Sequence, residues 1–224
     1  MTTSARPEPQ DPNEAARAVR TEWRSRQLLT AAARLMERNG FHGVSMQALA
    51  DEAAVSVGLI YRYFGNKDEL LLAVIVNVLE AFAGQVPAAV EAAGDDPVEQ
   101  VAAAFRAHCE VIDEHRHAAV LTYRESGSLS TEGRNKIKDM EIATSDPLRS
   151  AIRDGVAGGR FVDVDVELVT HDFLLMAHGW ALKHWHLERT LQFHDYVAKQ
   201  TALMLGALLA PEHRDDYRHL VAPT

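Results

Sequence analysis

Residues 55–70 read V-S-V-G-L-I-Y-R-Y-F-G-N-K-D-E-L. Two helix starts are written into this stretch. Ser56 can cap a helix that runs to Phe64, and Asn66-x-x-Glu69 is a capping box opening the next, through Leu70, Leu71, Val74 and Val78. Just upstream, Ser45 can cap a short helix with Met46, Leu49, Ala50 and Ala53 on one face. Only Ala54-Val55-Ser56 separates the two short helices, which is helix-turn-helix spacing. In such a unit the second helix enters the DNA major groove and the first braces it.

On the second helix Ile60 and Phe64, with Val55, are expected to face the core. That leaves Val57, Gly58, Leu59, Tyr61, Arg62 and Tyr63 at or near the outer surface. Tyrosine hydroxyls donate to phosphate oxygens and arginine neutralises them. Gly58 lets a duplex come close. Ser45 and Ser56, at helix N-termini, offer hydroxyls and free N–H groups to phosphates, and Lys67 extends the row. Spacing alone leaves open the plainer reading, a tyrosine-rich helix buried as core.

The motif string narrows that choice. The run from about Arg20 to Val78 resembles the N-terminal domain of the TetR family of bacterial transcriptional regulators. The matching residues are G-F-H-G-V-S-M-Q-A-L-A (Gly40–Ala50) and A-V-S-V-G-L-I-Y-R-Y-F-G-N-K-D-E-L (Ala54–Leu70). The resemblance implies phosphate contacts from Ser45, Ser56, Tyr61, Tyr63 and Lys67. It implies that Gln47, Val57, Gly58 and Leu59 lie nearest the bases, with Arg62 a variable contact. Val57 and Leu59 are apolar where family members often carry polar residues. They can pack on thymine methyls but cannot hydrogen-bond base edges, which leaves Gln47 to read an adenine. Ala54 stands where a turn glycine is common in the family.

The formal charge of −9 looks hostile to a polyanion, but it is unevenly spread. Residues 1–72 hold nine Lys+Arg and nine Asp+Glu, so the whole excess lies downstream. Arg17, Arg20, Arg24 and Arg26 cluster upstream of the motif. A chain with a negative total binds nucleic acid if its cations share a face. Cys109 is the only cysteine, so no intrachain disulfide is possible, in keeping with a reducing cytoplasm. No run approaches the ~20 apolar residues of a membrane span, and the N-terminus carries no apolar signal region. No membrane partner is expected.

Strand signals are scarce and helical periods cover most of the chain, so the expected fold is all-α with about nine helices. The first ends at the C-cap pair Asn39-Gly40. Its start is either Asp11-Pro12-x-Glu14 or Thr21. Pro147 should kink the seventh, over about 131–157. The expected division is a mobile N-terminal arm over 1–19, a helix-turn-helix DNA-binding domain over 20–66, an effector-binding and dimerisation domain over 67–210, and a tail over 211–224.

In the resembling family the second domain binds a small effector and forms the dimer. The last two long helices, about 165–187 and 193–209, are apolar over much of their circumference and so need more than one packing partner. Trp180, Trp185, Val197 and Leu205 are the interface candidates of a homodimer bound to a palindromic operator in double-stranded DNA. The stretches L-T-Y-R-E-S-G-S-L-S (Leu121–Ser130) and Asp146–Phe161 resemble branches of the family tied to lipid and acyl-coenzyme A metabolism. An acyl thioester requires an apolar tunnel with cations for its phosphates. Phe105, Cys109, Leu121, Phe173 and Met176, with Arg106 and Arg124, are the effector-binding candidates, joined more loosely by Val111, Val120, Arg149 and Arg153. These apolar side chains serve equally as core, and the arginines as partners of Glu110, Glu125 and Asp154.

Neither a metal nor a cofactor is expected. His184 and His186 do not share a helix face, and no H-x-x-x-H or C-x-x-C pair occurs. No catalytic motif is present either: G-x-S-x-G, a phosphate loop and a dinucleotide fingerprint are all missing. The expected function is a ligand-responsive transcriptional regulator of the repressor type, released from DNA by a small apolar effector of the acyl-coenzyme A kind. Two alternatives stay open. One is the same fold sensing a cationic or aromatic drug through Glu110, Asp113, Glu114 and Phe105. The other is an acyl-binding helical protein that no longer binds DNA.

Overall fold

The computed structural model describes the backbone of residues 12–222, with the side chains of Thr21 and of residues 23–222. Along these residues eleven α-helices follow one another: α1 (Pro12–Asn39), α2 (Met46–Glu52), α3 (Val57–Phe64), α4 (Lys67–Ala92), α5 (Pro97–Glu114), α6 (Arg116–Glu125), α7 (Thr131–Ala157), α8 (Val166–Leu182), α9 (His184–Leu187), α10 (Phe193–Leu208) and α11 (Arg218–Val221). Among the described residues the only β pairing is an isolated bridge between Phe161 and Leu209. The two helices beyond the expected nine are the single turns α9 and α11.

Helix ends follow local chemistry. Ser45 Oγ accepts from Ala48 N at 3.1 Å, and Asn66 Oδ1 accepts from Glu69 N at 2.9 Å while Asn66 Nδ2 donates to Glu69 Oε1 at 3.0 Å. Asp96 Oδ1 accepts from Val98 N at 2.8 Å and Glu99 N at 3.3 Å, with Pro97 at the first helical position. Gly40 ends α1 at φ +75, where a side chain would be strained. Ser56 starts α3 without a side-chain capping bond. Pro147 lies inside α7 without ending it.

Four features bear on the expected organisation. Residues 1–11 of the expected arm lie outside the described residues, but 12–19 are helical backbone: α1 takes the earlier start, with Pro12 fixing φ in its first turn. The tail is docked. Tyr217 is buried, and its hydroxyl donates to Asp96 Oδ2 at 2.8 Å, while His219 Nε2 lies 2.8 Å from Glu99 Oε1. A single apolar core runs from Leu28 to Tyr217 across the expected boundary at 66/67. Finally, α4 is long and apolar enough to cross a membrane by length and composition alone. Leu70, Leu71, Val74, Ile75, Val78, Leu79, Phe82 and Val86 instead bury themselves among α1, α5, α6 and α7.

The turn between α2 and α3 carries local strain. Ala54 sits at φ +52, the one non-glycine residue with positive φ among the described residues. The left-handed region costs an L-residue roughly 1–2 kcal/mol, and glycine's extra unfolded-state entropy offsets part of the relief. Ala54→Gly is therefore expected to raise stability by about 0.5–1 kcal/mol in urea denaturation. A loss of stability would mean that the Ala54 methyl has packing value exceeding its strain.

Candidate DNA-binding face and ligand cavity

The head exposes a small polar surface on α2 and α3. On α3 the core takes Ile60 and Phe64, and their stripe continues one turn back to Val57, which packs partly against the core. Val57, Ile60 and Phe64 are spaced i, i+3, i+7, so helical phase places Val57 on the inner side. Val57, expected at or near the outer surface, is half-buried, and Val55, expected in the core, is likewise only partly buried. Tyr63 is also partly packed, with its ring centroid 5.9 Å from that of Phe64. The outer side is left to Gly58, Tyr61 and Arg62, with Leu59 half-buried. Tyr61 is 50% exposed, enough for its hydroxyl to meet a ligand without moving the helix.

A Cβ added to Gly58 would meet nothing within 4 Å, so the protein itself does not require glycine there. Gly58→Ala is accordingly expected to stabilise the folded protein by about 0.5 kcal/mol. On a duplex seated against α3 the same methyl should cost about tenfold in affinity, or ~1.4 kcal/mol. Opposite signs in thermal denaturation and DNA titration are the expected pair; unchanged affinity would remove Gly58 from the contact surface.

Ser45, Gln47 and Ser56 are exposed. Gln47 Nε2 donates to Asp51 Oδ1 at 2.8 Å, so Asp51 fixes the amide orientation of the expected base reader. Lys67 departs most from expectation. Its ammonium donates to the carbonyls of Val44 at 3.0 Å, Phe41 at 3.1 Å and His42 at 3.5 Å, and lies 4.6 Å from the Phe41 ring centroid. All three of its donors are directed at the α1–α2 turn rather than at solvent.

The body holds a cavity of about 360 Å³ between α4, α5, α6, α7 and α8. Ile75, Val78, Leu79, Phe82, Ile112 and Leu174 give it apolar walls; His108, Thr122, Tyr123, Thr144, Ser145, Thr170 and His178 add polar groups. Glu141, Ile142, Glu167, His171 and Leu175 are exposed and mark the mouth.

None of the seven effector-binding candidates lines this cavity. Phe105, Cys109, Leu121 and Phe173 are fully buried core, and Phe105 packs edge-on against Phe173 at 5.5 Å between centroids. Burial pushes the Cys109 thiol far above its ordinary range, so it is inert packing. Met176 lies on the side of α8 away from the cavity, its carbonyl accepting from Tyr196 Oη at 2.5 Å. Arg106 and Arg124 are exposed elsewhere. The cavity uses the neighbouring faces of the same helices: His108 and Ile112 on α5, Leu174 and His178 on α8. Of the looser candidates only Arg149 reaches it. Its Nη2 donates to Ser145 Oγ at 2.7 Å, its Nε lies 2.9 Å from Glu167, and its Nη1 bonds Asp146.

Sequence reasoning missed His108, Tyr123 and His178. The signal for His108 was a lone polar residue in the apolar stripe of α5. The acids proposed for a cationic drug are not gathered here either: Glu110 and Glu114 are exposed, and Phe105 is core.

The interface candidates divide similarly. Trp180, Val197 and Leu205 are buried within the single chain, among α5, α8, α10 and α11. Trp180 Nε1 donates to Asp113 Oδ1 at 2.7 Å. Trp185 is exposed, as are Leu168, Leu175 and Leu203.

A helix-turn-helix head with an open glycine and exposed Tyr-Arg, set on a helical body with an apolar cavity, defines a DNA-binding regulator with a small-molecule site. Residues 28–74 match the model of the bacterial regulatory proteins of the tetR family, and residues 94–207 match its tetracyclin repressor-like C-terminal domain. The chain belongs to the TetR family of transcriptional regulators. It is 36% identical to the HTH-type transcriptional regulator HbdR of Aromatoleum sp. (strain CIB) over 188 residues, covering 84% of this chain and 82% of the relative. The structure resembles the TetR family regulator PfmR of Thermus thermophilus, with a TM-score of 0.72 and 27% identity over 82% of this chain and 99% of the other. It also resembles AibR in complex with isovaleryl coenzyme A and operator DNA, with a TM-score of 0.69 and 26% identity over 83% of this chain and 98% of that one.

Proposed function

We propose that this chain is a cytoplasmic repressor that binds a palindromic operator as a homodimer and releases it when a small apolar effector fills the α4–α8 cavity. The observation that carries the reading is that the helices lining the cavity also hold the head. α4 contributes Ile75, Val78, Leu79 and Phe82 to the cavity, and its first residue, Lys67, grips the α1–α2 turn. α6 contributes Ala119, Thr122 and Tyr123, and its other side holds the end of α1. There His117 Nδ1 lies 2.5 Å from Glu37 Oε2, and Phe41 N donates to Glu125 Oε1 at 3.5 Å. An effector that displaces α4 or α6 therefore tilts the recognition helices. It shifts the population only to the extent that it binds the two arrangements unequally.

The exposed leucines Leu168 and Leu175 on α8 and Leu203 on α10, with the exposed candidate Trp185 on α9, form the dimer face in this reading. An acyl-coenzyme A thioester is the favoured effector class, supported by the isovaleryl coenzyme A bound to AibR. In this reading the acyl part occupies the cavity and the nucleotide part lies outside its mouth.

The test is a fluorescence titration of the full chain against palindromic fragments of its own upstream region, at several salt concentrations, with and without isovaleryl coenzyme A. Saturable binding whose logarithm falls linearly with log salt, weakened by the thioester, is the expected result. No saturable binding to any fragment sinks the operator reading. Binding that no thioester alters sinks the effector class.

A further inference from the structure

The inner end of the cavity contains a hydrogen-bond acceptor that the protein does not satisfy. His108 is 2% exposed, and its Nδ1 lies 2.9 Å from the carbonyl of Ala104. A carbonyl only accepts, so Nδ1 carries the ring proton and Nε2 is bare. Nε2 makes no hydrogen bond to any described residue and is not sealed in by side chains; the space it opens on is the cavity. A ligand that closes off this acceptor without supplying a donor leaves it unpaired at a cost of roughly 1–3 kcal/mol, so a group that donates here gains more than one that only fills space.

The surroundings define that group further. Phe82 stands beside His108, with centroids 5.0 Å apart, and beside His178, at 6.3 Å. The Nδ1 of His178 is taken by the Tyr123 hydroxyl. Burial pushes both imidazoles down to about 4, so both are neutral near pH 7. Arg149, the one guanidinium among the described residues lining the cavity, has its charge matched by Asp146 and Glu167. Among the described residues, no unmatched arginine or lysine is therefore offered to a carboxylate at this depth.

We propose that the cavity selects an uncharged ligand group bearing a hydroxyl, which donates to His108 Nε2 while its hydrocarbon frame packs on Ile75, Val78, Phe82 and Ile112. Plain hydrocarbon groups of the same size, and groups whose only polar atom is a carbonyl oxygen, leave Nε2 unpaired. This rests on the cavity being the effector site, and it adds what that site discriminates.

Three six-membered-ring probes of similar size separate the possibilities: cyclohexanol, cyclohexanone and cyclohexanecarboxylate. Their dissociation constants for the full chain are measured by ligand-observed NMR, with the ¹⁵N shift of His108 Nε2 as a local readout. Cyclohexanol is expected to bind about threefold to tenfold more tightly than cyclohexanone, the worth of one neutral hydrogen bond, and to move the Nε2 resonance. In His108→Leu the two should bind alike. Equal affinity of cyclohexanol and cyclohexanone for the wild-type protein overturns the hydroxyl assignment while leaving the cavity reading intact. Carboxylate binding tighter than cyclohexanol overturns the requirement for an uncharged group. If none of the probes binds, the cavity reading itself fails. The wild-type comparison stands even if the variant does not fold.

Discussion

Lys67→Ala should lower the stability of the folded chain by about 2–3 kcal/mol, the scale of losing charge-assisted hydrogen bonds to partly buried acceptors. The reason is geometric. The Lys67 ammonium gathers the carbonyls of Phe41, His42 and Val44 from the turn that joins α1 to α2, and it lies over the Phe41 ring. Without it those carbonyls at the head's central turn lose their shared donor. A lysine in the first turn of a helix is also unfavourable toward the helix dipole, so its position answers to this clamp and not to α4. The family resemblance instead implies a phosphate contact, and the two roles separate cleanly. A clamp predicts a large loss in urea denaturation, with the slope of log affinity against log salt unchanged. A phosphate contact predicts near-native stability and a slope smaller by about 0.9 for each phosphate no longer neutralised. The second pattern would falsify the clamp.

Phe105→Ala is expected to cost more, about 3–5 kcal/mol, the range for emptying a fully buried phenylalanine site. Phe105 is completely enclosed and packs edge-on with Phe173, itself completely enclosed, where α5 meets α8. The melting temperature should fall by roughly 10 °C, at about 2–4 °C per kcal/mol for a chain of this size. Effector affinity per folded molecule should be little changed, because Phe105 does not face the cavity. Melting curves and effector titrations below the transition test both statements. Near-native stability with lost effector binding would return Phe105 to the ligand site and contradict its packing against Phe173.

These two residues also mark how far the sequence could be read. Lys67 was legible as part of a motif and placed on the correct helix start, yet its ammonium is directed inward. The side chain is long enough to reach either a phosphate or the turn carbonyls, and only the position of Phe41 through Val44 decides between them. Phe105 was legible as an apolar residue on a helix, and every apolar residue on α5 reads the same way whether it faces core or cavity.

The nine longer helices, most of their capped ends, the helix-turn-helix and the family are legible in the residues alone, because those features rest on interactions between residues at most a few positions apart. Asn66 with Glu69, Asp96 with Val98 and Glu99, and Gly40 ending α1 are of this kind. The residues alone also locate the acidic excess outside the DNA-binding head. The tertiary structure alone decided which face of an apolar helix does what. α8 is apolar nearly all round, so its pattern has no phase to show that Phe173 and Trp180 meet the core, Leu174 and His178 the cavity, and Leu168 the outside. That allocation depends on where α5, α6, α7 and α10 lie against it, and contacts between distant segments leave no periodic trace in any one of them.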